Sequence, residues 1–203
     1  MTLRGRLITL FPLLVLALGG VSVIEFIREP SLGRFAAVVF VWYLLPPLCF
    51  RLHDLICPLR PGREDLSDGS AYSPWWGSQQ FQIAYSVIPQ LEVLLRLIPG
   101  AYSAWLRLWG SRIGRGVIWT PVADVIDRSL LDIGNGVFFG HRVSLCSHTV
   151  LPRAGRQKLF VARIRIGDGA FISGACALGL GARVADGEFV PLDSILYFNR
   201  RLK

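Results

Sequence analysis

Histidine and methionine are scarce in this chain, and the motifs of several large enzyme classes are missing. Its 203 residues include three histidines, one methionine and four cysteines. The cysteines (Cys49, Cys57, Cys146 and Cys176) form no CxxC pair and no Cys/His metal spacing, so we expect buried thiols, a reducing compartment and no metal. The sequence also lacks a P-loop, a dinucleotide-binding fingerprint and a nucleophile elbow, which argues against the enzyme classes built on them.

Charge is low as well. Charged residues make up 18% of the chain, with 22 Lys and Arg against 14 Asp and Glu. Much of the positive charge flanks apolar segments, so the basic balance does not indicate a nucleic-acid partner and we expect none. The apolar excess lies mostly before residue 110, which divides the chain into two halves of different character.

Two apolar runs in residues 1–57 predict a membrane hairpin. Leu7–Ile27 is interrupted only by Glu25 and is long enough to cross the hydrocarbon core. Phe35–Phe50 is shorter and contains Pro46-Pro47, so it either spans with help from its flanks or forms a shallow re-entrant segment. A signal peptide is the alternative for the first run, but the run is long, lacks an evident cleavage site and is followed by a second run.

Basic residues outside the two runs predict the orientation of the hairpin. Arg4 and Arg6 precede the first run, and Arg51, Arg60 and Arg63 follow the second, whereas the short connection carries fewer basic residues. By the positive-inside rule both ends, and with them the C-terminal domain, face the cytoplasm, as expected at a bacterial inner membrane.

Residues 58–110 are predicted to be a linker followed by amphipathic helices. Pro58–Ser78 is rich in Pro, Gly, Ser and Asp, and Pro89, Pro99 and Gly100 divide the following stretch into short helices. This zone contains many aromatic side chains, which favour the headgroup level of a membrane: Trp75, Trp76, Tyr85, Tyr102, Trp105 and Trp109. The alternative is a helical collar packed against the C-terminal domain, and the two are compatible.

Residues 111–203 carry apolar residues at a spacing of six in three runs, 113–125, 133–145 and 166–196. The positions are Ile113, Trp119, Val125, Ile133, Phe139, Leu145, Ile166, Ile172, Leu178, Val184, Val190 and Leu196. Neither a helix nor an ordinary alternating strand has this period. A unit of six is one short strand plus a corner, and three units form one coil of a triangular prism whose stacked coils bury a common core. About three and a half coils are predicted, at 113–131, 133–150, 166–183 and 184–196.

The spacing of six is broken briefly after Val125 and at length after Leu145, and the best candidate for chemistry stands at the longer interruption. His148 lies three residues after Leu145, and Thr149–Arg165 is then predicted to be a projecting loop. Asp127 is expected near it, one coil below or alongside, together with Ser144 and Ser147. A histidine with a carboxylate partner is the usual general base for a hydroxyl. His141 has two interpretations, a functional residue or a residue at a corner.

The segment Ile113–Leu196 resembles the left-handed β-helix, hexapeptide-repeat O-acyltransferases of the maltose, galactoside and colanic-acid acetyltransferase type. The resemblance rests on three motifs, Leu131-Asp-Ile-Gly-Asn-Gly-Val-Phe-Phe-Gly, Ser144-Leu-Cys-Ser-His148 and Arg165-Ile-Gly-Asp-Gly-Ala-Phe-Ile-Ser-Gly-Ala-Cys. Phe171 replaces the family's usual Trp, Gly179-Leu-Gly181 replaces Leu-Pro-Gly, and the closing Gly-Asn-Pro-Ala is absent.

The resemblance implies an O-acyltransferase that uses acyl-CoA as cosubstrate, with acetyl the expected group, and the two apolar runs would anchor it in a membrane. His148 would be the general base and Asp127 the acid that positions it. The CoA arm would run beside Ser173, Gly174 and Ala175 in a groove of a homotrimer. The basic end, Arg200 and Arg201, either meets the CoA phosphates or forms a solvated or membrane-facing tail.

The acceptor and the alternatives follow from features outside the resemblance. The anchor indicates an amphiphilic acceptor alcohol, such as a lipid, a lipid-linked sugar or a lipopeptide. An acyl carrier protein could replace CoA as donor. A trimeric membrane scaffold without catalytic activity is the alternative from another class.

Overall fold

The computed structural model describes residues 2–67 and 71–197, and these residues form two compact units. The first contains residues 2–59 and 71–91, and the second contains residues 60–67 and 92–197. Arg200 and Arg201, predicted to contact CoA, lie outside the described residues.

The first unit is helical and contains the two predicted membrane segments. Its helices are Leu3–Ile8 (α1), Phe11–Arg28 (α2), Leu32–Val39 (α3), Leu45–Ile56 (α4) and Pro74–Val87 (α5). The continuous stretches Leu3–Arg28 and Leu32–Ile56 are long and apolar enough to cross a membrane, a test that a signal sequence also passes. Only 17% and 22% of their most apolar windows are buried, unlike the core helices of a soluble protein. The membrane hairpin itself stays a prediction.

The Pro46-Pro47 pair does not end the second stretch, because its backbone is rearranged and a side chain replaces a lost hydrogen bond. Residues Phe40–Leu44 form a π-helical turn between α3 and α4, so the prolines fall in the first turn of α4. Pro46 has no N–H for the carbonyl of Trp42, and the Tyr85 hydroxyl donates to that carbonyl instead at 2.7 Å. Nearby, Val15, Trp42 and Ala84 form the buried centre of this unit.

The second unit is built around a parallel β-helix of three four-stranded sheets. Sheet one contains Arg112–Ile113 (β2), Leu131–Ile133 (β5), Ile164–Ile166 (β10) and Arg183–Val184 (β13). Sheet two contains Ile118–Trp119 (β3), Phe138–Phe139 (β6), Phe171–Ile172 (β11) and Phe189–Val190 (β14). Sheet three contains Asp124–Val125 (β4), Ser144–Leu145 (β7), Ala177–Leu178 (β12) and Ile195–Leu196 (β15).

The register of these sheets confirms the six-residue repeat. In sheet one Ile113, Ile133, Ile166 and Val184 are paired in sequence, and the other two sheets pair their repeat positions in the same way. Every repeat position is buried, because the inward residue of each short strand faces the axis of the prism. The expected three and a half coils are in fact four, since the last six-residue units supply a strand to every sheet.

Close stacking at the corners explains the small residues that follow many repeat positions. A Cβ atom at Gly140 would lie 2.6 Å from the backbone nitrogen of Gly174 in the next coil. No side chain fits at that distance, so the corner requires glycine.

The segment that interrupts the repeat is a β-hairpin rather than a loop. His148–Arg153 (β8) and Arg156–Val161 (β9) pair antiparallel, and Ala154 and Gly155 both have positive φ, as a two-residue hairpin turn requires. Gly62–Asp65 (β1), which lies in the predicted linker, adds a third antiparallel strand to β9. Lys158 fixes this strand through the Asp65 carboxylate at 2.6 Å.

Two short helices cover the first coil of the prism. They are Gln90–Leu97 (α6) and Ala101–Leu108 (α7). On α7, Tyr102 and Trp105 are buried, as is Trp109 just after it, and Trp119 of the first coil donates its indole N–H to Ser103 at 3.0 Å. The packing of α7 agrees with the collar alternative, and the placement of this zone at a membrane interface stays a prediction.

Candidate active site

Asp127 and His148 meet at one corner of the prism because they occupy neighbouring coils. Asp127 follows β4 by two residues in the first coil, and His148 follows β7 by three residues in the second. The amide of Ile126 donates to the carbonyl of Leu145 at 3.0 Å, which stacks the two corners. The Asp127 carboxylate then joins the two coils through the backbone amide of Ser147 and the side chain of His148.

The Asp127 carboxylate binds both the backbone and the imidazole. It accepts from the amide of Ser147 at 2.7 Å, and its two oxygens lie 2.9 and 2.8 Å from Nδ1 of His148. The side chain of Asp127 is 1% exposed and that of His148 is 17% exposed. This arrangement places the Nδ1 proton toward the carboxylate, so Nε2 is the ring nitrogen that would exchange a proton with a ligand.

The surroundings of His148 change its proton affinity in opposite directions. Burial lowers the pKa of His148, but the hydrogen bond to Asp127 and the nearby sulfur of Cys146 raise it more, and the pKa is raised to about 10. The imidazole is therefore mostly protonated at neutral pH. Once it loses the proton, it is a strong base held in one orientation.

Cys146 belongs to the same cluster, which was not expected from the sequence. Its Sγ lies 3.9 Å from Nδ1 of His148 and donates to the carbonyl of His148 at 3.3 Å. One ligand atom from each of Asp127, Cys146 and His148 lies within 4.8 Å of the other two, so the three could in principle share a metal ion. The 2.8 Å separation of Nδ1 and the carboxylate fits a shared proton better, since two tetrahedral zinc ligands lie roughly 3.3 Å apart.

A buried ionic network fixes the turn that carries Asp127. Arg128 donates through Nε to Glu92 of α6, and Glu92 also pairs with Arg96 at 2.6 Å. The Tyr102 hydroxyl donates to the same carboxylate at 3.1 Å, and burial together with Glu92 raises the pKa of this hydroxyl far above its ordinary value. The collar and the site are thus connected through one carboxylate.

A serine from the start of the prism holds the other side of this turn. The hydroxyl of Ser111 donates to the carbonyl of Arg128 at 2.7 Å and accepts from the amide of Leu131 at 2.9 Å. In the next coil the Ser147 hydroxyl donates to the carbonyl of Leu130 at 3.2 Å. Buried polar groups with partners on all sides rigidify a structure, so Asp127 has little freedom to move.

A cavity of about 400 Å³ opens beside His148. Its walls come from the corner residues and outward strand positions of three coils and from the hairpin. They include Cys146, Leu151, Ala177, Leu180, Ile195 and Tyr197. The volume lies in the range of small-molecule sites, and a titratable group at one end makes it the candidate binding site.

The remaining predicted site residues lie elsewhere on the chain. Ser173, Gly174 and Ala175 form the corner between sheets two and three, and they do not line the cavity beside His148. His141 is exposed at this second corner, where its carbonyl accepts from the amide of Ala175 at 2.7 Å. The CoA contact predicted for Ser173–Ala175 stays a prediction.

Sequence reasoning missed Cys146, Glu92 and Arg128. The position of Cys146 in the sequence could have indicated its role. It stands two residues before His148 and directly after the repeat position Leu145, so it belongs to the same corner. Glu92 is 36 residues from Arg128, and no pattern links them in the sequence.

Comparison with known proteins gives only distant likenesses. No protein-family model matches the chain, and neither does any curated protein. A hexapeptide-repeat-containing acetyltransferase of Vibrio cholerae, complexed with acetyl coenzyme A, is 15% identical over 62% of this chain and 91% of that chain, with a TM-score of 0.39. Serine acetyltransferase isoform 3 of Entamoeba histolytica, in complex with cysteine, is 11% identical over 95% and 72%, with a TM-score of 0.34.

A third solved structure gives a similar picture. The maltose O-acetyltransferase of Clostridium difficile 630 is 13% identical over 58% of this chain and 84% of that chain, with a TM-score of 0.25. With identities and TM-scores this low, the likeness does not assign an activity to this chain. The function has to be inferred from the chain's own residues.

Proposed function

We propose that this chain is an O-acyltransferase of the left-handed β-helix type, with His148 as the general base and acyl-CoA, first of all acetyl-CoA, as donor. The observation that carries the proposal is the buried Asp127 carboxylate bound to Nδ1 of His148 beside a cavity. Burying a carboxylate is costly unless it is paired, and a scaffold would gain nothing from placing that pair at the edge of a cavity.

The chemistry follows from which nitrogen Asp127 holds. Nε2 of His148 takes the proton of an acceptor hydroxyl, whose oxygen attacks the carbonyl carbon of the thioester. The carbon–sulfur bond breaks, and the departing thiolate takes the proton back from the imidazolium. Asp127 keeps the ring oriented and stabilises its charged form throughout.

The membrane anchor and the assembly are further parts of this proposal. The two apolar helical stretches support anchoring at a bacterial inner membrane with the prism in the cytoplasm, which suits an amphiphilic acceptor. The homotrimer is supported by an outward row of apolar side chains on sheet two, namely Ile118, Phe138, Phe171 and Phe189. Phe171 and Phe189 are 41% and 60% exposed, a cost that a neighbouring subunit would remove.

The test compares two variants, in each of which one histidine is replaced by alanine. The full chain is supplied with acetyl-CoA and a membrane lipid extract, and free CoA thiol is measured over time. We expect His148→Ala to release thiol roughly 10²- to 10⁴-fold more slowly, the usual contribution of a general base. His141→Ala is the matched control, because that histidine is exposed at another corner, and it should retain the wild-type rate.

Two outcomes contradict the proposal. Equal thiol release by wild type and His148→Ala would remove His148 from the reaction. Loss of activity in both variants, with unchanged circular dichroism, would mean that the corner of His141 is required as well and that the assignment to one corner is wrong.

A further inference from the structure

We propose that the cavity beside His148 binds a hydrocarbon chain attached to one of the reacting groups. The inference rests on the proposed acyl transfer and specifies its substrate class. The side chains that line the cavity include no Asp, Glu, Lys or Arg among the described residues. Leu151, Ala177, Leu180 and Ile195 form apolar walls, so phosphates and sugar hydroxyls would find few partners there.

The cavity extends along the prism in one direction from His148. Ala177 is paired with Ser144 of the second coil and with Ile195 of the fourth, so these three residues form one outward row on sheet three. The row begins in the first coil with Asp124, which is paired with Ser144. Its polarity therefore decreases from Asp124 to Ile195, and the apolar part begins one coil beyond His148.

The corner residues that line the cavity are also stacked along the prism, from the second coil to the fourth. Backbone hydrogen bonds between successive coils stack Cys146, Gly179 and Tyr197. The amide of Cys146 donates to the carbonyl of Leu178, and the amide of Gly179 donates to the carbonyl of Leu196. Across these two levels of strand spacing the groove extends roughly 10 Å from the imidazole. This length exceeds what an acetyl group needs.

Sheets two and three both carry apolar residues in their outward rows, and of these two rows only that of sheet three lines the cavity beside His148. The outward row of sheet one consists of Arg112, Asp132, Arg165 and Arg183, all of them charged. On sheet three Ile195 is 62% exposed and Leu151 of the hairpin is 48% exposed, so apolar surface faces an open cavity at the reacting group. A ligand chain that covers this surface would gain roughly fourfold in affinity for each buried methylene.

The chain can belong to the acyl donor or to the acceptor alcohol, and two series of substrates distinguish these sources. The first compares octanoyl-CoA with acetyl-CoA. The second keeps acetyl-CoA and compares octan-1-ol with ethanol. The full chain is placed in nanodiscs, because the alkyl chains of a detergent would compete for the cavity.

The variant Ala177→Leu fills the middle of the groove, and Ala185→Leu makes the same change at an exposed corner outside it. We expect wild type and Ala185→Leu to prefer the long chain at least about tenfold in one of the two series, as a few buried methylenes predict. Ala177→Leu should lose this preference. Absence of a preference in both series, or a preference that Ala177→Leu leaves unchanged, would overturn the inference.

A binding measurement separates this inference from the proposed function. Calorimetric titration with octanoyl-CoA and with free CoA measures how much the octanoyl chain contributes to affinity, without requiring turnover. Chain-dependent binding that Ala177→Leu abolishes, without thiol release from any thioester, would retain the subsite and reject the acyltransferase. Thiol release that depends on His148, with no dependence on chain length in binding or turnover, would retain the acyltransferase and reject the subsite.

Discussion

The regular coils of the prism and the corner at Asp127 and His148 are built by opposite rules. In the coils, each inward position is apolar and is supported by equivalent residues above and below, such as Leu145 between Val125 and Leu178. At the corner, the buried carboxylate of Asp127 and the buried guanidinium of Arg128 each have a specific partner on another element. The repeat therefore supplies stability through many similar contacts, whereas the corner depends on individual contacts that have no substitute.

The largest change is expected from Asp127→Asn, which alters the electrostatics of the corner and keeps its shape. Only the neutral imidazole acts as a base, and the pKa of about 10 means that the wild-type transfer rate should rise with pH up to about 10. Without the carboxylate, burial still lowers the pKa of His148 and only the sulfur of Cys146 raises it, so the rise should shift to lower pH. The maximal rate should fall as well, because the ring loses its orientation.

The measurement is the pH–rate profile of thiol release, together with an NMR titration of His148. A profile that is the same in wild type and Asp127→Asn would mean that Asp127 does not set the protonation of His148. The corner would then be structural, like the coils.

Removing the carboxylate of the collar network should have the next largest effect. Glu92→Leu leaves Arg96 and Arg128 buried without their acidic partner, which typically costs about 3–5 kcal/mol. Hydrogen exchange of the amides of β2 and β5 reports the free energy of opening in this unit alone. Asp132→Asn, which removes a half-buried partner of the exposed Arg112 at 3.9 Å, is the matched control and should cost less than about 1 kcal/mol.

Equal protection in Glu92→Leu and Asp132→Asn would contradict the view that the buried network matters more than a surface pair. It would also mean that Asp127 is held without help from the collar.

A substitution inside a coil should be less severe and spread over its neighbours. Leu145→Ala removes a 1% exposed side chain and leaves a cavity, at a typical cost of about 2–5 kcal/mol. Ser144→Ala, the adjacent outward position, should remain within about 0.5 kcal/mol of wild type. Chemical denaturation followed by circular dichroism of the strands measures both, and a larger cost at Ser144 would contradict the inward assignment of the repeat.

The repeat was predictable because its signal is local and redundant. Twelve positions at a spacing of six leave one consistent set of inward residues, and the sheets pair them accordingly. The interruption after His148 was also visible, as was the Asp127 partner. Its form was not, because a hairpin that recruits Gly62–Asp65 depends on contacts with a distant segment that has no period.

The sequence by itself thus determined the repeat, the inward residues, the place where the repeat stops and the two apolar runs, since each is a pattern of neighbouring residues. Only the tertiary structure decided that Cys146 joins the imidazole, that Glu92 holds the turn of Asp127, and that apolar walls lie along one side of His148. Those features arise when the coils stack, because stacking brings residues together by level and corner rather than by distance along the chain.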